Sequence, residues 1–284
     1  MPARAREPAV SRTLVIRPGA LGDAVLTLPL LHRLLAGGAR PTILGNRASW
    51  EFLRPEWPVW DIDGRGWLWL FGGAGPARLK TSFDAAVVCL RDAGQVERAL
   101  RAAGVSRVTT LTPPPREARA PHRHAALALA GVEPEVPPLA EDPFLNLDRA
   151  PRPTDRIVLH PGAGGRAKRW PGFPALAEGL RSAGASPLIL LGPADADLAS
   201  VYAGYEVLRD RPLRDLLSVM AGARAFVGND SGLTHLAARC CPTFALFGPT
   251  DPAVWRPLGK TVTVLPFAAT AEDLVRGLRS TKQL

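Results

Sequence analysis

The stretch Phe226-Val-Gly-Asn-Asp-Ser-Gly-Leu-Thr-His-Leu-Ala237 joins a predicted strand to a predicted helix. Residues 225–227 are apolar, a turn with two glycines follows, and a second apolar segment begins at Leu233. Such a turn exposes backbone N–H groups and the positive end of the helix dipole, which together suit a phosphate or pyrophosphate. Gly228 and Gly232 would let the backbone approach that ligand closely. Asp, Ser and Asn are also ordinary helix caps, so the stretch alone leaves a purely structural role open.

Length and composition predict two folded domains. The chain has 284 residues, of which 46% are hydrophobic, and this is enough for a large core. Its formal net charge of +9 favours an acidic partner such as nucleic acid, an anionic membrane or a phosphorylated substrate. The arginines are spread along the chain without the aromatic and basic modules of nucleic-acid binders. We therefore expect no nucleic-acid partner.

The cysteines and the first segment favour a cytoplasmic protein. Cys89, Cys240 and Cys241 make neither a disulfide framework nor a zinc-binding spacing, so we expect buried thiols and no metal. The apolar segment after the basic start is interrupted by Asp23 and Pro29, among others. This pattern fits neither a signal peptide nor a membrane-spanning helix.

Two series of alternating strands and helices predict an α/β fold with mainly parallel sheets. The first series begins at residue 13 and the second at residue 156. Between them, over residues 132–153, periodicity vanishes and prolines accumulate, which indicates an interdomain linker. We predict domains over residues 1–150 and 151–284. Their cleft would lie between the C-terminal ends of the strands, where open α/β sheets bind ligands.

Three strand-to-helix turns carry the candidate chemistry. The first, Pro18-Gly-Ala-Leu-Gly-Asp23, offers a carboxylate but lacks the GxGxxG fingerprint of dinucleotide-binding proteins. The second, His160-Pro-Gly-Ala-Gly-Gly-Arg-Ala-Lys-Arg-Trp-Pro171, combines glycines with cations, and the third is the opening stretch. One acid facing a cationic, glycine-lined pocket suits an activated sugar diphosphate. Lys168 would stabilise charge on the leaving nucleotide, while Asp23 would take the proton from an acceptor hydroxyl.

These motifs resemble glycosyltransferase family 9, the family of ADP-heptose:lipopolysaccharide heptosyltransferases. The resemblance runs from about residue 14 to residue 255, and the loop Phe247-Gly-Pro-Thr-Asp-Pro252 adds a fourth motif in the same order. It implies a GT-B fold of two Rossmann-like domains that face a central cleft. The first would bind the acceptor and the second the donor, with a last helix that can pack back on the first. It also implies metal-independent inverting transfer from ADP-heptose as a substrate, with no cofactor.

The resemblance assigns roles to individual residues. It implies Asp23 as the general base and Lys168 as the cation on the donor phosphates. The remaining donor-site candidates are loop and turn residues: Gly164, Gly165, Asp230, Ser231, Gly232, Leu233 and His235. Asp195 is the nearest acidic candidate for the ribose.

Purely structural roles stay open for several of these residues. Asp23 could be only a helix cap, Lys168 part of a solvated loop, and His235 a packed or capping histidine. Gly22, Arg17 and Arg91 are candidates on the acceptor side, where a phosphate or carboxylate of the acceptor would need cations. The two arginines could equally be surface or ion-pair residues.

Residues 50–71 contain a cluster of five tryptophans interrupted by proline and glycine. The cluster could pack in the core beneath loops, or it could form an exposed aromatic patch that contacts lipid or glycolipid. The second arrangement would let a basic protein work at the inner face of the cytoplasmic membrane without spanning it.

The acceptor side departs from the family pattern. The chain is short, with the loss in its first half, and Leu90-Arg91-Asp92-Ala93-Gly94 replaces the family's Asp-x-Gln-Gly segment. The predicted function is transfer of a sugar, heptose in the first instance, to a lipopolysaccharide-type or other envelope glycan. The alternatives are a related enzyme that acts on a free nucleotide sugar, such as a hydrolysing epimerase, and a non-catalytic module that binds nucleotide sugars or glycans.

Overall fold

The computed structural model describes residues 11–72, 79, 81–111, 137–147 and 152–281. The sequence also predicts a helix over residues 122–129, and this segment lies outside the described ranges. The described chain forms two parallel β-sheets with helices packed on them, which confirms the predicted α/β, GT-B-like class.

The first sheet has the strand order β3-β2-β1-β4-β5. Its strands are β1 (Ser11–Ile16), β2 (Ala39–Gly45), β3 (Val59–Asp61), β4 (Ala85–Val88) and β5 (Arg107–Thr110). All neighbouring strands are parallel. The α-helices described in this half are α1 (Leu21–Val25), α2 (Leu28–Ala36) and α3 (Gly94–Ala102).

The second sheet has the order β11-β10-β9-β6-β7-β8, again all parallel. Its strands are β6 (Ile157–His160), β7 (Pro187–Leu191), β8 (Glu206–Arg209), β9 (Ala225–Asn229), β10 (Thr243–Phe247) and β11 (Val262–Pro266). Its helices are α4 (Phe173–Ser182), α5 (Leu213–Gly222), α6 (Gly232–Cys240), α7 (Pro252–Trp255) and α8 (Ala271–Ser280). In both sheets the first strand of the half is central, as in doubly wound nucleotide-binding folds.

Several elements differ from the patterns predicted from the sequence. The apolar positions after Asp23 predict one helix to about residue 35. The chain forms two helices there, because Pro29 has no N–H to continue the hydrogen-bond ladder from α1 into α2. The last helix, α8, packs in the second half, where Leu274 and Leu278 join the core beneath α4.

The segment predicted as an interdomain linker, residues 132–153, is packed on the protein over residues 137–147. Residues 137–147 lie against the first half, where Phe144 and Leu145 are fully buried. Backbone hydrogen bonds attach them there: Arg54 N–H donates to Phe144 O at 2.8 Å and Asn146 N–H donates to Phe52 O at 2.9 Å. Two large apolar side chains outweigh the loop-like composition, and we call residues 137–147 the strap.

One continuous cluster of buried apolar side chains joins the two halves. It contains Ala24, Val25 and Leu28 from α1 and α2, together with Leu236 and Ala237 from α6. These two parts of the chain therefore pack as one core at the seam between the sheets. Within the described ranges, no helix has the length and apolar character needed to cross a membrane.

Candidate functional site

The first turn of α6 forms the centre of the candidate donor site. Ser231 caps the helix, and its Oγ accepts a hydrogen bond from Thr234 N–H at 3.3 Å. The Thr234 hydroxyl in turn donates to Asn229 O at 2.5 Å. The first N–H groups of a helix have no intrahelical acceptor, so those of Gly232 and Leu233 are available to an anion.

Asn229 ties this loop to the glycine turn at residues 160–165. Its Nδ2 donates to Pro161 O at 2.9 Å and to Gly162 O at 3.1 Å. Its Oδ1 accepts from Trp170 N–H at 2.9 Å. The side chain is fully buried, so it fixes the relative position of the two loops. Asn229 was not among the predicted site residues; its place at the end of a buried strand beside two glycine turns was the available signal.

Lys168 and Asp230 form the charged contact of the second half. Lys168 Nζ lies 2.6 Å from Asp230 Oδ2, and the Thr250 hydroxyl donates to the same oxygen at 2.7 Å. His235 Nε2 lies 3.7 Å from Asp230 Oδ1. Burial acts to raise the pKa of Asp230, but His235, Lys168 and Thr250 more than offset it and lower the pKa to about 2. Asp230 is therefore an anion at neutral pH. Thr250 lies in the fourth sequence motif but was not among the predicted site residues.

Helices α1 and α6 meet through two glycines. A Cβ on Gly232 would lie 2.7 Å from Leu21 Cβ, closer than real Cβ atoms come, and 3.0 Å from Gly22 N. A Cβ on Gly22 would lie 3.2 Å from His235 Cδ2. The helix that carries Asp23 thus touches the first turn of the candidate donor loop. Three predicted site residues from the two halves, Gly22, Gly232 and His235, therefore lie together here.

Asp23 lies one residue beyond this contact. Its Oδ1 is 2.5 Å from Arg17 Nη2, and its Oδ2 accepts from Ala20 N–H at 3.2 Å. The carboxylate thus caps α1, yet 32% of the side chain remains exposed. Capping and access to a substrate therefore coexist at this residue.

Arg17, predicted as an acceptor-side candidate or an ion-pair residue, forms an ion pair. Its side chain is buried, donates to Asp23, and has Nη1 3.4 Å from Cys89 O. Burial raises the pKa of the Cys89 thiol to about 11, so it is neutral. Arg17 is an ion-pair partner of Asp23 because β1 ends directly beneath the turn that carries Asp23. Arg91, by contrast, is exposed just after β4, at the same edge of the sheet.

Asp195, the predicted ribose candidate, is paired within the protein. It is buried, with Oδ1 3.0 Å from Arg169 Nη2 and Oδ2 accepting from Gly192 N–H at 3.0 Å. A Cβ on Gly162 would clash with this carboxylate, which shows how closely the glycine turn covers it. Both oxygens are therefore used inside the protein. Asp197, two residues later, is 39% exposed and lies 2.8 Å from Arg169 Nη1.

The other predicted positions differ in their surroundings. Gly164 and Gly165 are exposed, with nothing within 4 Å of a Cβ built on either.

No group of three or more His, Cys, Asp or Glu side chains that could hold a metal ion occurs among the described parts of the chain.

The tryptophan cluster is largely packed. Trp50 is buried, while Trp60 stacks on Trp67 with ring centroids 5.4 Å apart. The exposed apolar residues of this segment are instead Leu68 (58% exposed) and Phe71 (48% exposed), on the 3-10 helix Arg65–Phe71. Core packing therefore accounts for most of the cluster, and a small apolar patch remains beside it.

Comparison with known proteins gives consistent relatives. The lipooligosaccharide heptosyltransferase 2 of Haemophilus ducreyi is 34% identical over 125 residues, which are 38% of this chain and 36% of that protein. The lipopolysaccharide heptosyltransferase 1 of Escherichia coli K12 is 41% identical over 79 residues, 28% of this chain and 24% of that protein. The matched segments span about a third or less of the length of these curated relatives.

A solved structure extends the likeness to the whole fold. The ADP-heptose lipopolysaccharide heptosyltransferase II of E. coli has a TM-score of 0.72 and 21% identity, covering 95% of this chain and 98% of that one. The family description "Glycosyltransferase family 9 (heptosyltransferase)" matches residues 81–279, well over half of the sequence. This chain belongs to glycosyltransferase family 9.

Proposed function

We propose that this protein is an inverting glycosyltransferase that moves heptose from ADP-heptose to a lipopolysaccharide-type or other envelope glycan. Membership of family 9 and the names of its relatives support the substrate class. The observation that carries the proposal is the contact of Gly22 with Gly232, which brings the Asp23 turn against the first turn of α6. A base on one half and an anion site on the other thereby share one cleft.

The second half would hold the donor diphosphate. The N–H groups of Ser231, Gly232 and Leu233, at the positive end of α6, would donate to phosphate oxygens. Lys168 would contribute the cation. Asp230 carries negative charge and would repel a phosphate, so we assign it the positioning of Lys168 rather than phosphate contact. Asp197, rather than Asp195, is our candidate for the ribose, because its carboxylate is accessible.

The first half would supply the base. Asp23 would accept the proton of an acceptor hydroxyl as that oxygen bonds to the anomeric carbon and the bond from that carbon to the diphosphate breaks. The electron pair leaves with ADP, where Lys168 and the N–H groups of α6 stabilise the charge. Arg17 would hold the carboxylate in a fixed orientation through their contact. Exposed Arg91 is our candidate for an anionic group of the acceptor.

The exposed patch at Leu68 and Phe71 would contact the inner face of the cytoplasmic membrane. Arg65 on the same short helix and the net charge of +9 favour an anionic surface. Sedimentation with vesicles of anionic phospholipid tests this. The double variant Leu68→Ser, Phe71→Ser should bind more weakly, and Val201→Ser, an equally exposed apolar residue of the second half, should bind as wild type. Equal binding by all three proteins would remove the patch from the proposal.

The transfer proposal is tested with ADP-heptose and a heptose-deficient lipopolysaccharide. Asp23→Asn should lower kcat about 100-fold or more, because general-base catalysis contributes at least that much. Its affinity for ADP, measured by calorimetry, should stay within about twofold, since the donor contacts lie in the other half. Asp63→Asn, an exposed carboxylate on the same half, should leave both values unchanged.

Other outcomes would identify a different function. Release of ADP at the full rate without acceptor would favour a hydrolysing enzyme of free nucleotide sugars. Tight binding of ADP-heptose with no turnover on any envelope acceptor would favour a binding module. Near wild-type transfer by Asp23→Asn would remove Asp23 as the base.

A further inference from the structure

A buried ion pair joins the strap to the far end of α6. The side chains of Asp142 on the strap and Arg239 on the last turn of α6 are 0% and 3% exposed. Arg239 Nη2 lies 2.7 Å from Asp142 Oδ2. His32 on α2 adds a third member, with Nε2 3.1 Å from Asp142 Oδ1. An ionised carboxylate can only accept, so the His32 nitrogen carries the hydrogen.

Asp142 is firmly held by the first half. Phe144 N–H donates to its Oδ1 at 3.0 Å, and Trp57 Nε1 donates to the adjacent Pro143 O at 2.8 Å. Burial acts to raise the pKa of Asp142, but His32, Phe144 N–H and Arg239 together lower it. The carboxylate is therefore charged, and its charge is shared between one residue of the first half and one of the second.

This triad acts on the helix that begins at the donor loop. The first turn of α6 touches Leu21 and Gly22, while its last turn is held by Asp142. Between these points the shared core contributes apolar contacts. Apolar burial is not directional, so by itself it would allow α6 to rotate or slide against α1 and α2. A buried ion pair adds little net stability but requires one geometry.

We propose that Asp142, Arg239 and His32 are positioning residues that fix α6, and with it the donor loop, relative to Asp23. The inference rests on the proposed transfer function. The triad lies at the end of α6 that is remote from the candidate donor loop. It acts through the orientation of α6, so its loss should misalign the two halves while each half keeps its own contacts.

The kinetic test uses the charge-free double variant Asp142→Asn, Arg239→Met, which leaves neither ion buried alone. Its kcat for transfer should fall about tenfold or more, because misplacement of reacting groups by about 1 Å is that costly. Its affinity for ADP should stay within about twofold, since the proposed donor contacts lie in the second half. The control Glu97→Gln, Arg101→Met removes an exposed ion pair on α3 and should change neither value.

A second pair of variants keeps the test informative if the double variant does not fold. His32→Leu removes the hydrogen bond to Asp142 and should lower kcat, whereas His32→Gln can still donate and should restore it. Unchanged kcat in His32→Leu, or an equal loss in His32→Gln, would overturn the inference. A fall in ADP affinity parallel to kcat in the double variant would do so too, because it would indicate general loosening of the second half.

Amide hydrogen exchange separates this inference from the transfer proposal. Amides of residues 21–26 and 233–240 should exchange at least about fivefold faster in the double variant and in His32→Leu, while those of β6 and β7 remain as in wild type. This measurement needs no activity. If wild type transfers no sugar, the transfer proposal fails on its own; if exchange at the seam is unchanged, the positioning role fails.

Discussion

The two halves of the cleft hold their polar residues in different ways. In the second half, Asn229, Asp230 and Lys168 are joined to neighbouring loops by short hydrogen bonds, and the first two are buried. In the first half, the polar groups at the sheet edge are the Arg17–Asp23 pair and exposed Arg91. A buried polar group must be paired in the folded protein, so folding alone builds the second site. Exposed Arg91 is accessible to an anionic ligand.

The difference between the two halves matches the two ligands of the proposed reaction, the donor diphosphate and the acceptor glycan. A diphosphate is the same group whatever sugar it carries, and a prebuilt anion site suits it. An acceptor glycan varies, and an open edge with few fixed contacts suits a ligand that brings its own charges. If the second half is the more tightly built of the two, substitutions in its buried network should cost the most stability and donor affinity.

Removing the buried amide should have the largest effect. Asn229→Leu leaves Pro161 O, Gly162 O and Trp170 N–H without their partner, so the free energy of unfolding should fall by about 4 kcal/mol. Asn46→Ala, which removes one exposed cap on Ala48 N–H, should cost less than about 1 kcal/mol. Urea denaturation measures both. Equal losses of unfolding free energy in the two variants would contradict the inference that the second half is the more tightly built.

The cation of the second half should matter next. Lys168→Met should weaken ADP binding about 30-fold, because a charged hydrogen bond to phosphate is lost. Lys260→Met is the matched control, since Lys260 is exposed just before β11, at the opposite end of the sheet from the donor loop. Calorimetry with ADP gives both affinities, and an unchanged value for Lys168→Met would exclude Lys168 from the donor site.

Acid should weaken the second half through Asp230. Its pKa falls from the ordinary 3.8 to about 2 on folding. A depressed carboxyl pKa stabilises the folded state above about pH 4, and this stability is lost as the pH falls toward 2. The loss should reach about 1 kcal/mol at pH 3 and roughly 2 kcal/mol at pH 2. Urea denaturation at several pH values should show that Asp230→Asn lacks this part of the pH dependence of the unfolding free energy. An identical pH dependence in wild type and variant would refute the role of Asp230.

The smallest change in stability is expected at an open glycine. Gly164→Ala should change the free energy of unfolding by less than about 0.5 kcal/mol, because nothing lies within 4 Å of the added Cβ. Gly162→Ala should destabilise clearly, since its Cβ would meet the buried Asp195 carboxylate. If Gly164 approaches the diphosphate, its variant should also bind ADP several-fold more weakly. If Gly164→Ala loses stability but keeps its affinity for ADP, Gly164 has a structural role and does not contact the donor.

Much of the fold followed from local patterns. Buried strands such as β6 and β9 are short apolar runs followed by glycine turns, and this rhythm predicts a parallel sheet without any knowledge of distant contacts. The failures have local causes as well. Pro29 separates two helices where the apolar periodicity predicts one. Burial of Phe144 and Leu145 places a proline-rich segment against the core.

The candidate site was predictable at its turns but not in its pairings. Asp23, Lys168 and the loop at residues 230–233 were predicted because glycines and charges stand together at strand ends, and the structure places these turns at the same seam. Asn229 and Thr250 were not predicted, and Asp195, named for the ribose, is buried and paired with Arg169. Burial and partner choice depend on residues far away in the chain, such as Arg169 for Asp195.

The sequence by itself determined the two parallel sheets, the family and the turns where ligand chemistry would occur, because periodicity and glycine placement act over a few residues. Only the tertiary structure decided that Arg17 faces Asp23, that Gly22 meets Gly232, and that Asp142 of the strap pairs with Arg239 across the seam. Those contacts join residues up to 210 positions apart, and only close packing of whole elements selects them.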